Sequence, residues 1–246
     1  MKKTITVIAL LAGAVSGYSQ GQVYFYGYAA EGSPASTLHQ AIYGLQTGTY
    51  SVTYGGSTVL ETVGSTTAVQ NSKETPTGTA VYTSTPLGGM GPAADAILLE
   101  GAAGDTLSQL TPVGTVLPFY TTAAGVGFIK GAEIETLASV PFSTTITIAI
   151  AAWNVNAGGD QNGGAAVTTL AEAIAASTAD VLEANDGGYG WGISATVSDT
   201  TAASGLPPTP MPTTLESFSL GQAVPEPSTI ALGVIGASAL LFRRRK

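Results

Sequence analysis

The chain has 246 residues, of which only 10% are charged, with a single histidine and no cysteine. This length fits one domain with short appendages, and the lack of cysteine excludes disulfide bonds and thiol chemistry. Between the two terminal segments, Lys73 and Lys130 stand against fifteen acidic residues, a net charge of −13, which opposes nucleic-acid binding because that binding requires basic side chains on the phosphates.

Residues 1–20 have the pattern of a secretory signal peptide. Two lysines precede an uncharged apolar run from Ile5 to Val15, and small residues follow. The run is too short to span a bilayer and no stop-transfer charges come after it. We therefore expect cleavage between Gly17 and Gly21 and a body outside the cytoplasm.

Residues 21–204 alternate short apolar stretches with Gly- and Pro-rich turns, a pattern typical of β-strands. The strongest signal runs from Ser143 to Trp153, where side chains on both faces are apolar, so we expect a central strand there. From Ser57 to Pro92 we expect turns, loops and weak edge strands. Further strand candidates lie at 21–28, 41–43, 49–54, 96–101, 116–120, 126–129, 189–197 and 215–220.

One helix is predicted, from Val167 to Ala184, where large apolar residues recur near the helical period. The fold class we expect is therefore mainly β: a single β-sandwich, jelly-roll-like or Ig-like, with one helical insertion. A Pro-rich crossing segment at 205–223 contains a possible last strand, with Phe218 and Leu220 facing inward.

Residues 224–246 combine three features in a fixed order. Pro225 and Pro227 flank Glu226, and because proline fixes φ and lacks an N–H, this tripeptide fits neither a helix nor a central strand. An uncharged apolar run at 228–242 predicts a transmembrane helix of roughly 22 Å, short of a hydrocarbon thickness of about 30 Å. The basic cluster that ends the chain should remain in the cytoplasm. It consists of Arg243, Arg244, Arg245 and Lys246.

This tail resembles the PEP-CTERM sorting signal of exosortase substrates, through Pro225–Gly233 followed by the basic cluster. The resemblance implies a membrane-embedded, transpeptidase-like enzyme that cuts the tail and passes the body to the cell exterior. It therefore implies two partners, an exosortase-type enzyme and the inner membrane, and a transient anchor before the protein reaches the cell surface or extracellular matrix. A plain tail anchor is the alternative, but it would need no Pro-Glu-Pro tripeptide.

The body also resembles a group of uncharacterised PEP-CTERM proteins, and that group implies no activity. The similar stretches are short and scattered. They are Gly21–Val23, Pro112–Gly114, Pro118–Phe119, Ala151–Trp153, Gly190–Ser194 and Leu215–Leu220.

The residue content gives little basis for catalysis. Because His39 is the only histidine, a zinc site with several histidines is excluded by count, and a histidine-based triad has one possible base. The acids show no pair placed across a cleft, as a glycosidase would need, so we expect solvated carboxylates, no catalytic residue and no cofactor. These acids include Glu31, Glu61, Asp105 and Asp199, together with Glu133 and Glu135 on one strand face.

Several aromatic rings are candidates for stacking on sugars. Tyr24, Tyr26 and Tyr28 alternate on one face of the first predicted strand, and Trp191 lies in a Gly-rich setting. Trp153 points toward the expected core. Structural packing is the alternative for the tyrosine row.

A Gly-rich loop after the central strand carries oxygen ligands of the kind that Ca²⁺ prefers. The candidate ligands are Asn154, Asn156, Asp160 and Asn162. The loop lacks the residue order and the terminal glutamate of an EF-hand, so a plain glycine loop is the alternative.

The interpretation that follows is an exported, exosortase-processed surface or extracellular-matrix protein, associated with exopolysaccharide and without catalytic activity. A carbohydrate-binding β-sandwich module is the alternative function, and a glycosidase-like enzyme is a third.

Overall fold

A computed structural model describes residues 20–26, 40–64, 79–88, 93–122, 125–131, 133–137, 140–155, 167–182, 190–212 and 214–224. Over these residues the fold is mainly β with one α-helix, as predicted. The strands are β1 (Gly21–Phe25), β2 (Ile42–Leu45), β3 (Tyr50–Tyr54), β4 (Ser57–Glu61), β5 (Ala94–Ala102), β6 (Thr111–Pro118), β7 (Glu133–Leu137), β8 (Thr145–Asn154), β9 (Trp191–Ile193), β10 (Val197–Thr200) and β11 (Phe218–Leu220). The helix, α1, spans Leu170–Leu182, and a short 3₁₀ turn spans Leu107–Gln109.

The largest sheet has five strands, with β8 at its centre. One edge of β8 pairs antiparallel with β5, which in turn pairs with β6. The other edge pairs first with β10 and then with β9. Every residue of β8 after Thr145 is buried, which confirms the central strand predicted from its two apolar faces.

Apolar clusters cover both faces of this central sheet. On one face, Ile148 and Ile150 of β8 belong to a cluster that includes residues of β1, β2, β7 and β11. On the other, Ala149 and Ala151 join a cluster that includes residues of α1, β9 and the β3–β4 pair. The sheet is therefore packed between elements on both sides, and the predicted two-layer sandwich is not confirmed.

Three smaller pairs of strands complete the sheets of the described residues. β1 pairs antiparallel with β7, and β2 pairs in parallel with β11. β3 and β4 form a hairpin whose turn residues, Gly55 and Gly56, have φ of 58° and 81°. Positive φ at both positions is what a tight two-residue hairpin requires, and it is the reason that two glycines stand there. Phe218 and Leu220 of β11 are buried, as predicted.

Helix α1 presents one stripe to the core and begins with a capping box. Its buried residues include Leu170, Ile174 and Ser177. Before the first turn, the Thr169 hydroxyl accepts the Glu172 N–H at 3.2 Å, and the Glu172 carboxylate accepts the Thr169 N–H at 3.1 Å. Such reciprocal bonds satisfy N–H groups that have no partner within the helix.

The segment from Ser57 to Pro92, where turns, loops and weak edge strands were expected, contains β4 of the two-stranded hairpin, and Val59 of β4 is fully buried. One strand prediction is wrong. The predicted strand at 126–129 is instead a turn, with a single bridge between Phe119 and Ile129.

The two terminal predictions fall mostly outside the described residues. The leader up to residue 19 and the tail from residue 225 onward are not described. Within the residues that are described, no helix combines the length and the apolar character needed to cross a membrane.

Candidate functional site

The exit segment, residues 221–224, is the last part of the body before the predicted sorting tripeptide. Pro225, Glu226 and Pro227, the apolar run at 228–242 and the basic cluster Arg243–Lys246 lie outside the described residues. The structure therefore defines how the body holds the chain immediately before these residues.

Backbone hydrogen bonds hold the exit segment along its whole length. Gly221 and Trp191 exchange N–H to carbonyl bonds of 2.9 and 3.3 Å. The Val224 N–H donates to the Thr58 carbonyl of β4 at 2.8 Å. Ala223 forms an isolated antiparallel bridge with Val59, so the exit segment extends the path of β11 along β4.

One side-chain bond joins the exit segment to the helix. The Ser177 hydroxyl, buried on the inner stripe of α1, accepts the Ala223 N–H at 3.2 Å. Helix α1 and strand β4 thus both contact the last residues before position 225. The residues that precede the sorting tripeptide are therefore bonded to the body up to Val224.

Trp191 is part of the packing behind this exit and is not a stacking platform. Its exposed fraction is 0%, which corrects its assignment as a candidate sugar-binding ring. Its neighbour Gly192 has no room for a side chain, because a Cβ there would lie 2.5 Å from the Glu61 carboxylate and 2.6 Å from the Ser219 carbonyl. The Gly-rich sequence around this tryptophan therefore serves close packing and not ligand access.

The predicted tyrosine row is also broken by the structure. Tyr26 is only 4% exposed, whereas Tyr24 is half-buried. Their rings meet edge to face, with centroids 6.3 Å apart. Tyr28 lies outside the described residues, so of these three rings only Tyr24 is described with an accessible face. Trp153 is buried, as expected, and its indole N–H donates to the Val167 carbonyl at 3.3 Å.

Three of the acids expected in solvent are buried instead. Burial raises the pKa of Glu61 well above its ordinary value, although its carboxylate accepts the Ile193 N–H at 3.2 Å. Burial also raises the pKa of Asp199 to about 6. Glu135 is buried and accepts the Thr115 N–H at 2.8 Å.

These buried acids contact separate backbone amides on different strands, so each serves its own part of the fold. Among the described residues, no group of three histidine, cysteine or acidic side chains is placed to hold a metal ion.

The candidate calcium loop is described only at its first residue. Asn154, at the end of β8, is buried, and its side-chain oxygen accepts the Gly190 N–H at 2.7 Å. This bond fixes the end of β8 to the start of β9. Asn156, Asp160 and Asn162 lie outside the described residues, so the calcium site stays a prediction.

A shallow groove of about 470 Å³ lies on the outer side of the β1–β7 pair. Its polar wall includes Gln22 and Thr136, whose side chains share a 3.3 Å hydrogen bond. Its apolar wall includes Phe142, Leu206 and Pro207. None of the described residues that line it is charged, which makes it a surface suited to neutral ligands.

Sequence reasoning missed the residues that anchor the exit segment. Ser177 was passed over although it lies in the inner stripe of α1, three and seven residues after Ile174 and Leu170. A lone hydroxyl on an otherwise apolar helix face is a usable signal, since a buried polar group requires a partner. Thr58 gave no signal, because it acts only through its backbone carbonyl.

The comparisons with known proteins bear on the tail alone. Residues 223–246 match the PEP-CTERM protein-sorting motif. The match confirms the predicted sorting signal, and it indicates an exported protein that an exosortase processes and whose C-terminus is anchored in the membrane before cleavage. No curated protein and no solved structure matches the chain significantly, so the resemblance of the body to other PEP-CTERM proteins stays a prediction.

Proposed function

We propose that the chain is a non-catalytic protein of the cell surface or extracellular matrix, associated with exopolysaccharide and released at the Pro225–Pro227 tripeptide by an exosortase-type enzyme of the inner membrane. The observation that carries the proposal is the sorting motif matched at residues 223–246. The match begins at Ala223, within the exit segment. A folded, cysteine-free body followed at once by a removable anchor suits delivery of the body rather than permanent attachment.

The carboxylate of Glu226 is the group to test. It is the single charge between two prolines, on a backbone that can join neither a helix nor a central strand. In the producing cell, Glu226→Gln should leave the full-length protein in the membrane fraction and abolish its release. Immunoblots of the membrane and extracellular fractions would measure this.

A matched control is Glu216→Gln, which removes the same charge ten positions earlier in the chain. The side chain of Glu216 is only half-buried, and the backbone carbonyl of this residue, which accepts the Gln40 side chain at 2.8 Å, is unchanged by the substitution. Release should be normal in this variant. Normal release of the Glu226 variant as well would contradict recognition of that carboxylate.

A carbohydrate-binding module is the second candidate, and the groove beside β1 favours it. Gln22 and Thr136 offer amide and hydroxyl groups there, Phe142 offers a ring, and Tyr24, two residues from Gln22 on the same strand face, is half-buried. Neutral sugars are bound by such combinations of hydrogen-bonding groups and flat apolar surface.

The test is binding of the body, residues 20–224, to an array of polysaccharides that includes the exopolymer of the producing cell. If the body is a sugar-binding module, Tyr24→Ala should weaken binding about 5- to 30-fold, because a lost stacking contact costs of the order of 1–2 kcal/mol. Tyr50→Ala, which removes an exposed tyrosine from β3, is the control. Binding that neither substitution changes would exclude Tyr24 as part of the sugar site.

A further inference from the structure

We propose that, while the tail is anchored, one face of the body lies directly against the lipid headgroups. This exit face consists of the exposed or half-buried residues around the point where the chain leaves the body. They are Thr53, Gly56, Thr58, Thr178 and Val224. The inference rests on the proposed function in one respect: the apolar run that begins at Ser228 must enter the bilayer.

The length of the tether sets the distance. Val224 is fixed to β4 by its 2.8 Å bond to the Thr58 carbonyl. Four residues further on, Ser228 begins the apolar run, and four residues of fully extended chain span at most about 14 Å. A headgroup layer is roughly 5–8 Å thick on each side of the hydrocarbon, so the exit face must lie within about 10 Å of the membrane surface.

The hydrogen bonds of the exit segment keep the distance between the exit face and the membrane short. Had the chain been free from β11 onward, four further residues would have added about 13 Å of reach. Those residues are instead bonded to Trp191, Ser177 and Thr58. The body consequently has little freedom to move away from the membrane or to turn another face toward it.

The composition of the exit face fits this position. The Thr53 and Thr58 hydroxyls share a 2.9 Å hydrogen bond, and the Thr178 hydroxyl meets that of Ser57 at 3.1 Å. Each residue of the exit face is uncharged, on a body whose net charge is −13. An acidic face would be repelled by anionic lipids, whereas hydroxyl groups can donate hydrogen bonds to lipid phosphates. The exposed side chain of Val224 gives this face an apolar contact.

The absence of cysteine allows a direct test with single labels. In the full chain, Thr53→Cys places a label on the exit face. Thr136→Cys places one on β7, whose Leu137 packs on the opposite side of the central sheet. Both are exposed strand threonines that share one exposed hydrogen bond, so the two variants are closely matched in the perturbation they introduce.

The labelled proteins would be reconstituted in vesicles of phosphatidylcholine and phosphatidylglycerol that carry a quencher on the headgroup. Quenching at position 53 should be about threefold or more above that at position 136, because only the exit face is held next to the headgroup layer. Equal quenching at the two positions would overturn the proposal. Thermal unfolding followed by circular dichroism would verify that both variants fold.

Two further measurements separate a failure of the tail anchor from a failure of the exit face to dock. Flotation of the vesicles reports anchoring by itself: protein that fails to float contradicts the proposed tail anchor, whereas floating protein with equal quenching contradicts only the docking of the exit face. A Gly-Ser spacer of about 20 residues between Val224 and Pro225 adds a mean reach of about 25 Å. With the spacer, quenching at position 53 should fall to the value at position 136. Quenching that persists would contradict the short tether as its cause.

Discussion

At the scale of single residues, the buried carboxyl of Asp199 makes stability depend on pH. Burial on β10 raises its pKa to about 6 from an ordinary value of 3.8. The folded state therefore holds the proton more tightly than the unfolded chain does. The stabilisation from this group is complete below pH 3.8 and is lost as the pH rises through about 6.

Asp199→Asn should remove the loss of stability that the ionisation of Asp199 causes as the pH rises. The amide oxygen can still accept the Thr200 N–H, a bond of 2.7 Å in the native protein, but no charge can form. The free energy of unfolding should fall less between pH 4 and pH 7.5 than in the native protein, by at most about 3 kcal/mol. Urea unfolding at a series of pH values would measure it.

The pH prediction has a close control. Glu133→Gln, which removes one negative charge from an exposed position on β7, is the control for the loss of a charge by itself. Glu61, whose pKa burial also raises, should keep part of the slope in the Asp199 variant. A slope identical to that of the native protein would show that Asp199 ionises at no cost in the folded state.

Gly114 supports a second prediction at the scale of residues. Its φ is 74°, and a Cβ at this position would collide with the Glu135 carboxylate. Gly104 has a similar φ of 84°, but open space surrounds the position of its Cβ. Substituting each of the two glycines therefore distinguishes the cost of backbone strain from the cost of a steric collision.

Gly104→Ala should cost about 1–2 kcal/mol of unfolding free energy, the price of a left-handed conformation for an L-residue. Gly114→Ala should cost about 1–3 kcal/mol more, because the carboxylate must move from the Thr115 N–H. Chemical denaturation of the two variants in parallel would check this. Equal losses would mean that the Glu135 side chain moves aside freely.

At the scale of elements, local sequence predicted what depends on local patterns. The apolar faces of β8, the paired glycines of the β3–β4 turn and the helical period of α1 were all readable. The pairing of β1 with β7 and the parallel pairing of β2 with β11 were not, because those partners lie far apart in the chain.

The buried acids were missed for a related reason. Glu61 lies two residues after the buried Val59, on the same face of β4. The strand period alone therefore places Glu61 inside. The segment from Ser57 to Pro92 was predicted to form turns, loops and weak edge strands because it is rich in Thr, Ser and Gly. The sorting tripeptide, by contrast, was found from sequence because a processing enzyme must recognise a short local motif, and this information needs no tertiary structure.

The exit segment yields a prediction at this scale. Ser177→Ala would leave the buried Ala223 N–H without its acceptor, at a cost of about 1–3 kcal/mol. Amide exchange at Ala223 and Val224 should quicken by about tenfold or more, since 1.4 kcal/mol corresponds to a factor of ten. Hydrogen exchange followed by NMR would resolve both amides.

Thr178→Ala is the control for this prediction, because it removes the adjacent hydroxyl of α1, which is exposed and bonds to Ser57 and Ile174. Exchange at Ala223 should stay at the native rate in that variant. Slow exchange in the Ser177 variant would instead assign the stability of the exit segment to its backbone bonds alone.

At the scale of the whole molecule, the charge of the body should restrict which of the proposed polysaccharide partners it can bind. Fifteen acids against two lysines give a net charge of −13, and no described residue that lines the groove beside β1 is charged. Like charges repel over a Debye length of about 30 Å at 0.01 M salt and about 8 Å at 0.15 M. Acidic polymers should therefore be held off at low salt and neutral ones should not.

The body should accordingly bind an acidic polysaccharide such as alginate more tightly as monovalent salt increases from 0.01 to 0.15 M, because screening removes repulsion. Its binding to a neutral polysaccharide such as dextran should stay constant over the same range. Co-sedimentation of residues 20–224 with each polymer would give both trends. Tightest binding to the acidic polymer at low salt would require a basic patch on the body. Its two lysines cannot supply such a patch, so that result would contradict charge as the determinant of polymer choice.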